Sequence, residues 1–181
     1  TIEVRYSSVS NAVWVIDELP LEKYLKGIGE TSSGLPAEFL KTMSVAARGY
    51  ALYHVDRGGK YYGSSQDIFT LKKRRHGNGD DQVYQGYGLE SRFADLATAV
   101  DATAGQVVTY GGTPAITTYF SRTDGRTRSA QEAWGVDYWP WLASVSDPDI
   151  AGRTMSGHGG GTSGYSAEER GQAMAIWGIG V

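Results

Sequence analysis

Apolar and polar residues alternate in two short runs near the start of the chain, residues 2–6 and 12–16. Both runs are rich in β-branched and aromatic residues, and Ser10 and Asn11 lie between them. A period of two is typical of a strand, and turn-forming residues between two such runs favour a tight connection. The pattern therefore predicts a β-hairpin.

Three longer segments carry apolar residues at the three- and four-residue spacing of an amphipathic helix. The first begins at Pro20, the second runs from Pro36 to about His54, and the third runs from Glu90 to Ala104. Proline suits the first turn of a helix because its missing N–H has no helical partner there. The apolar stripe of the first helix comprises Leu21, Tyr24, Leu25 and Ile28.

The second half of the chain is predicted to contain shorter elements. The pair Gly111-Gly112 between residues 106–110 and 115–120 predicts a second hairpin. The other expected elements are a helical turn at 129–134, a strand at 141–145 and a helix at 167–177. Helices and strands are mixed without regular βαβ alternation, which favours an α+β fold.

Composition narrows the class of protein. A chain of 181 residues fits one domain, and its 40% apolar residues are enough to fill a core. The net charge of −3 disfavours electrostatic binding of nucleic acid. No run approaches the roughly 18 apolar residues of a membrane span. The sequence does not begin with Met, so we expect a piece of a longer, exported chain.

Glu30 is the first candidate for chemistry. It follows the stripe of the first predicted helix, points away from it and lies at the C-terminal end of that helix. The negative end of a helix dipole favours the protonated carboxyl, which is the form that a general acid needs. The alternative, which spacing alone favours, is a surface glutamate paired with Lys26.

Lys41 and Arg48 are seven residues apart on the second predicted helix, so they share a face outside its apolar stripe. They either line a groove and hold Glu30 ionised or belong to a solvated face. A nearby cation would oppose the dipole effect on Glu30, and the sequence leaves that balance open.

Two polar segments could bind a polyhydroxylated ligand. Residues 121–129 offer hydroxyls, cations and a glycine, although an ordinary polar turn has the same composition. Residues 157–163 are glycine-rich and contain His158, but lack a phosphate-loop ending and a G-x-S-x-G elbow. The best local cluster for a metal is His76 with Asp80 and Asp81, and its spacing is weak.

Seven features in order resemble the SpoIID/LytB family (stage II sporulation protein D-like proteins and amidase enhancers). Glu30 falls at the key glutamate of that family. The other matching segments are LPLEKYLKG from Leu19, LKTMSVAARGYALY from Leu40, QVYQG from Gln82, VDATAGQVVTY from Val100, TRSAQEAWG from Thr127, and GHG from Gly157 with Ser163. After Glu30, the usual Met-Pro of the family is replaced by Thr31-Ser32.

The resemblance implies one SpoIID-like α+β domain over residues 1–181, with two lobes around a groove. It also implies a lytic transglycosylase that cleaves the MurNAc–GlcNAc bond of peptidoglycan glycan strands. Glu30 would act first as acid and then as base, leaving 1,6-anhydroMurNAc ends. The implied substrate contacts are Lys41, Arg48, Tyr50, Ser121, Thr123, Gly125, Arg126, Thr127, His158 and Ser163.

The resemblance also shapes the expected cofactors, partners and location. Some members bind zinc through cysteines near the QVY segment, and this chain has no cysteine, so no metal or cofactor is expected. The expected partners are peptidoglycan glycan strands and an N-acetylmuramoyl-L-alanine amidase. The expected location is extracytoplasmic, at the cell wall or periplasm, with a membrane anchor in a preceding segment.

Two other functions remain open at this level. One is a non-catalytic module that binds peptidoglycan and stimulates an amidase. The other is a hydrolase that uses Glu30 with a second carboxylate and leaves reducing ends.

Overall fold

The computed structural model describes residues 1–7, 11–56, 82–120 and 126–146. The chain divides into two compact units, Thr1–Ile116 and Thr117–Val181. Within the described residues, helices are mixed with short antiparallel strands. The α+β prediction is confirmed.

The first element is the predicted hairpin of β1 (Ile2–Ser7) and β2 (Ala12–Asp17). The strands pair antiparallel, with Val4 opposite Val15. Asn11 adopts a positive φ of 49° in the connection, a conformation that asparagine tolerates better than most residues. The alternating pattern of the sequence was therefore a correct guide to this hairpin.

Two helices follow the hairpin. Helix α1 covers only Leu21–Leu25, whereas α2 covers Ala37–Val55, close to the predicted limits. Ile28, the last apolar residue of the predicted first stripe, is buried but lies outside α1. It leaves the helix because its backbone forms a bridge with Tyr84 instead.

The predicted third helix is two helices, α3 (Leu89–Arg92) and α4 (Ala94–Ala102). The break is at Phe93, whose φ of −123° and ψ of 66° are outside the helical region. Helix α4 packs against α2, and the largest fully buried apolar side chains of this unit come from α1, α2, α3 and α4. They are Leu25, Leu40, Leu89 and Val100.

The second predicted hairpin is also present, with shorter strands. Strand β3 is Thr109–Tyr110 and β4 is Thr113–Pro114. Gly111 and Gly112 have φ values of 58° and 82°, as a tight hairpin turn requires at both central positions. One further bond, from the Ala115 N–H to the Val108 carbonyl at 3.0 Å, extends the pairing.

The described part of the second unit contains α5 (Ala130–Trp134), which confirms the predicted helical turn. The Ser129 side chain accepts a hydrogen bond from the Glu132 N–H, while Glu132 accepts one from the Ser129 N–H. This reciprocal capping box fixes the start of the helix. Gly135 ends it in the left-handed conformation.

The predicted strand at 141–145 is wrong. Within the described residues, this segment contacts its neighbours through single bonds, such as the Thr127 N–H to the Val145 carbonyl at 2.8 Å, and through one bridge between Arg126 and Ser146. The predicted helix at 167–177 lies outside the described residues. Among the helices that the structure describes, none is both long and apolar enough to cross a membrane.

Candidate functional site

Glu30 lies in the loop after α1, where this loop meets the QVYQG segment. The Val83 N–H donates a hydrogen bond of 2.7 Å to Glu30 Oε1. Two backbone bonds flank it, from the Gly29 N–H to the Val83 carbonyl and from the Gln85 N–H to the Gly27 carbonyl, both 2.7 Å. The QVYQG segment therefore binds the candidate carboxyl directly.

The position of Glu30 shows that both interpretations drawn from its spacing, the helix dipole and the pair with Lys26, are wrong. Helix α1 ends at Leu25, and the effect of a helix dipole fades within its last turn, so the dipole argument does not apply to Glu30. The expected ion pair with Lys26 is also wrong. The Lys26 ammonium instead lies 2.7 Å from Asp101 Oδ2, and this hydrogen bond raises the pKa of Lys26.

Two glycines allow the close approach of the loop and the QVYQG segment. A Cβ at Gly27 would overlap the ring of Tyr84, and a Cβ at Gly29 would overlap the side chain of Gln85. The Tyr84 ring cannot easily move aside, because it stacks on Tyr24 with centroids 5.4 Å apart. Gly27 is therefore required by packing against Tyr84, more than fifty positions away, whereas the neighbour of Gly29 is a flexible, exposed side chain.

Gln82 ties the same segment to two helices. Its Oε1 accepts a hydrogen bond of 3.0 Å from the Tyr24 hydroxyl on α1, and its Nε2 donates one of 3.0 Å to the Ala47 carbonyl on α2. Gln82 is buried, so these bonds replace those it would make with water. These bonds fix Gln82 in place, and they thereby fix the neighbouring Val83, whose N–H binds Glu30.

A small pocket opens beside Glu30. Its mouth is formed by the three partly exposed lining residues, Glu30, Thr31 and Met43. Its floor is formed by the buried residues Leu25, Ile28, Ser44, Ala47, Leu96 and Val100. A partly exposed carboxyl thus lies against a mainly apolar recess built by α1, α2 and α4.

Arg48 lies in the interior rather than on a solvated face. It is fully buried, and its Nε and Nη2 donate to the two carboxylate oxygens of Glu22 at 2.9 and 2.7 Å. Its guanidinium also donates to the carbonyls of Gln106 at 3.0 Å and Val100 at 3.3 Å. With no exposed surface, Arg48 can affect a substrate only through the packing of α1, α2 and α4.

Sequence reasoning missed Glu22, the partner of Arg48. Both residues lie within segments that resemble family motifs, but no spacing rule connects positions on two different helices.

The other predicted contacts on α2 are more accessible. Lys41 is partly exposed and pairs with Glu38 at 2.7 Å, and Tyr50 lies edge-on to the His54 ring with centroids 4.6 Å apart. Neither is among the residues that line the pocket at Glu30.

Two predicted ligand contacts of the second unit are described. The Arg126 guanidinium lies 2.7 Å from Glu132 and donates to Ser144 Oγ at 2.9 Å. Thr127 is buried, donating to the Ala143 carbonyl at 3.1 Å and accepting the Val145 N–H at 2.7 Å. Both side chains therefore contribute to the packing of this unit.

Glu132 is the acidic partner in this cluster. Its hydrogen bond from Arg126, together with the Ser129 N–H, lowers the pKa of Glu132 from 4.5 to about 2. The remaining predicted contacts, Ser121, Thr123, Gly125, His158 and Ser163, lie outside the described residues.

No group of three or more histidine, aspartate and glutamate side chains that could hold a metal ion occurs among the described residues. The weak candidate cluster of His76, Asp80 and Asp81 lies outside them. The chain has no cysteine, so a thiolate cannot serve as a metal ligand.

Comparison with known proteins places this site in a family. The SpoIID family model, described as stage II sporulation protein, matches residues 9–110, which is more than half of the chain. The chain belongs to the SpoIID family. The matched range contains α1, Glu30, α2 and the QVYQG segment, so the whole arrangement around Glu30 lies inside it.

This SpoIID-family chain is similar to three further proteins over most of its length. It is 36% identical over 134 residues to an uncharacterised protein of Brachyspira hyodysenteriae, covering 72% of this chain and 33% of the relative. It is 27% identical over 140 residues to stage II sporulation protein D of Bacillus subtilis, covering 74% of this chain and 40% of the relative. The protein of that name from Bacillus amyloliquefaciens is 27% identical over 146 residues, with the same coverage. The chain thus spans about a third to two fifths of these relatives.

Proposed function

We propose that this SpoIID-family chain is a lytic transglycosylase that acts on the glycan strands of peptidoglycan. Membership of the family supports a role at the cell wall. The observation that carries the finer proposal is the hydrogen bond from the Val83 N–H to Glu30 at the mouth of an apolar pocket. It holds one partly exposed carboxyl in a fixed position through the backbone of a neighbouring segment.

The proposed reaction uses this carboxyl twice. Protonated Glu30 donates its proton to the glycosidic oxygen between MurNAc and GlcNAc as the bond from the MurNAc anomeric carbon breaks. The C6 hydroxyl oxygen of the same MurNAc then bonds to that carbon, and the Glu30 carboxylate accepts the hydroxyl proton. The products are a 1,6-anhydroMurNAc end and a GlcNAc end, and no water is consumed. One carboxyl is sufficient, because the nucleophile belongs to the substrate.

A fixed carboxyl suits this sequence of steps. The acid step acts on the glycosidic oxygen at the MurNAc anomeric carbon, and the base step acts on the C6 hydroxyl of the same MurNAc. The carboxyl must therefore stay close to both oxygens without a large rearrangement. The bridge between Ile28 and Tyr84 and the bonds of Gln82 to α1 and α2 restrict the loop that carries Glu30. This packing supplies the positioning that general acid–base catalysis requires.

The remaining parts of the proposal follow from the family. The enzyme would act outside the cytoplasm, at the cell wall or periplasm, without a metal cofactor, and an N-acetylmuramoyl-L-alanine amidase would be a partner. Activity in the presence of a chelator tests the absence of a metal requirement. Release of stem peptides by a purified amidase, with and without this chain, tests the partnership.

The main experiment incubates the chain with purified glycan strands, with and without stem peptides, and identifies new ends by mass spectrometry. We expect 1,6-anhydroMurNAc ends from the native chain, formed at a far lower rate by Glu30→Gln. Glu18→Gln is the matched control, because Glu18 is an exposed glutamate outside the pocket. Sedimentation with cell walls without new ends, together with faster release of peptides by an amidase, would instead indicate a non-catalytic module.

A further inference from the structure

The pocket beside Glu30 has the size and chemistry of a site for one small apolar group. Its free space holds about one group of the size of a water molecule or a methyl. Apolar side chains dominate its floor, including Leu25, Leu96 and Val100. Its one floor hydroxyl, Ser44 Oγ, already donates 2.8 Å to the Leu40 carbonyl.

Such a pocket is a poor site for water. A buried water typically makes two to four hydrogen bonds, and apolar cavities stay dry. The floor of this pocket supplies too few polar partners for that number. A methyl group, in contrast, gains from every apolar wall that it contacts.

The other polar side chains of the pocket lie at its mouth. Glu30 lies there, and so does Thr31, whose Oγ1 is buried without a hydrogen-bond partner in the described part of the chain. A buried hydroxyl without a partner is costly, and a ligand that supplies one recovers that cost. The pocket therefore matches a substituent with an apolar end and a polar group next to it.

We infer that this pocket takes the N-acetyl group of the aminosugar at the cleaved bond, with its methyl on the floor and its amide at Thr31. The inference rests on the proposed function, because it takes a glycan of N-acetylated sugars as the ligand. It gives Thr31 the role of binding the amide that all N-acyl groups share, whereas the apolar floor selects the acyl group. Glu30 at the same mouth then lies beside the bond to be broken.

The test compares three glycan strands made from one de-N-acetylated parent by formylation, acetylation or propionylation. They carry the same charge and differ only in the acyl group. Binding to the Glu30→Gln variant of the full chain is measured by calorimetry, so cleavage is not needed. We expect the N-acetyl strand to bind about tenfold more tightly than the N-formyl strand, since one methyl in a fitted apolar pocket discriminates at least this well. The N-propionyl strand should bind more weakly because the floor has no room for its extra carbon.

Two pocket variants, each made in the Glu30→Gln chain, test the location of the methyl. Ala47→Val fills the floor and should abolish the preference for N-acetyl over N-formyl. Leu96→Ala enlarges it and should shift the preference toward N-propionyl. Ala102→Val on the exposed end of α4 is the control and should leave the preference unchanged. Equal binding of all three strands to the parent variant would overturn the inference, as would an N-acetyl preference that survives Ala47→Val.

Thr31→Val, also in the Glu30→Gln chain, tests the amide contact separately. All three strands keep the amide, so we expect this variant to weaken the binding of each by about 2- to 10-fold, as for one net hydrogen bond. It should not lower thermal stability, because the hydroxyl has no partner to lose. Thr42→Val on the exposed face of α2 is the control. Unchanged binding by Thr31→Val would overturn the amide contact.

The outcomes separate this inference from the proposed function. Cleavage of N-acetyl strands by the native chain with equal binding of the three strands would remove the pocket assignment and keep the enzyme. An acyl preference without cleavage would keep the pocket in a binding module. Failure to bind any strand would contradict both.

Discussion

The backbone N–H of Val83 donates a 2.7 Å hydrogen bond to the Glu30 carboxylate, across 53 residues of sequence. The bond is part of an antiparallel contact centred on the bridge between Ile28 and Tyr84. Two segments that resemble separate family motifs thus form one structural unit. The candidate catalytic carboxyl depends on both of them.

The two glycines before Glu30 should differ in how they tolerate a side chain. In Gly27→Ala, the new Cβ meets the Tyr84 ring, which is held by its stack on Tyr24, so we expect a loss of about 1–3 kcal/mol in the free energy of unfolding. In Gly29→Ala, the Cβ meets Gln85, an exposed and flexible side chain that can turn away. Urea denaturation of both variants measures the difference.

Gly34→Ala is the control for backbone strain alone, because Gly34 has a φ of 82° and open space around it. If Gly27→Ala cost no more than Gly29→Ala, the proposed packing of Tyr84 against the loop would be wrong. Loss of glycan cleavage in Gly27→Ala beyond its loss of stability would support the role of this packing in positioning Glu30.

The Arg48–Glu22 pair should be a major contributor to stability. Glu22→Ala leaves a fully buried guanidinium without its carboxylate, and breaking such a pair costs several kcal/mol, so we expect a loss of about 3 kcal/mol. Glu38→Ala breaks the exposed pair with Lys41 and should cost less than about 1 kcal/mol. Chemical denaturation of the two variants gives the comparison.

A double-mutant cycle with Arg48→Met checks the cause. If the cost of Glu22→Ala comes from the unpaired charge, it should fall sharply when Arg48 is already Met. Equal costs in both backgrounds would show that Glu22 acts through something other than Arg48.

The capping box of α5 should weaken in acid. The pKa of Glu132 is lowered from 4.5 to about 2, mainly by its hydrogen bond with Arg126, so its charged form stabilises the folded state. This contribution is complete above pH 4.5 and is lost as the pH falls toward about 2. Since Glu132 is exposed, the effect should be small and should decrease with added salt.

The measurement is the stability difference between the native chain and Glu132→Gln as a function of pH. We expect the native chain to be more stable above pH 4.5 and the two to converge toward about pH 2. Glu18→Gln, on the first unit, corrects for the general effect of removing one negative charge. A difference that stayed constant through this range would contradict the assignment of the capping box to charged Glu132.

Local patterns predicted the elements whose shape is decided by nearby residues. The hairpin of β1 and β2, the length of α2 and the turn at Gly111-Gly112 all follow from periodicity and turn chemistry within a short window. The helical turn predicted at 129–134 belongs to the same class. The family resemblance added Glu30 as the candidate acid, which spacing alone did not favour.

Features decided by distant residues could not be predicted in this way. Helix α1 ends early because the following loop pairs with the segment at Tyr84. Arg48 is buried because Glu22, on another helix, supplies its counter-charge. The break at Phe93 leaves the apolar spacing of α4 intact, so periodicity does not reveal it. In each case the deciding contact is tertiary, and a single sequence carries no signal for it.

The chemical nature of the glycan ends tests the central proposal most directly. The native chain, incubated with purified glycan strands, should produce 1,6-anhydroMurNAc ends, and the rate should fall by about 10²- to 10⁴-fold in Glu30→Gln, as for loss of a general acid–base group. Glu18→Gln should retain the native rate. New reducing ends would contradict the account by showing that water is the nucleophile, and full activity of Glu30→Gln would contradict the role of Glu30 itself.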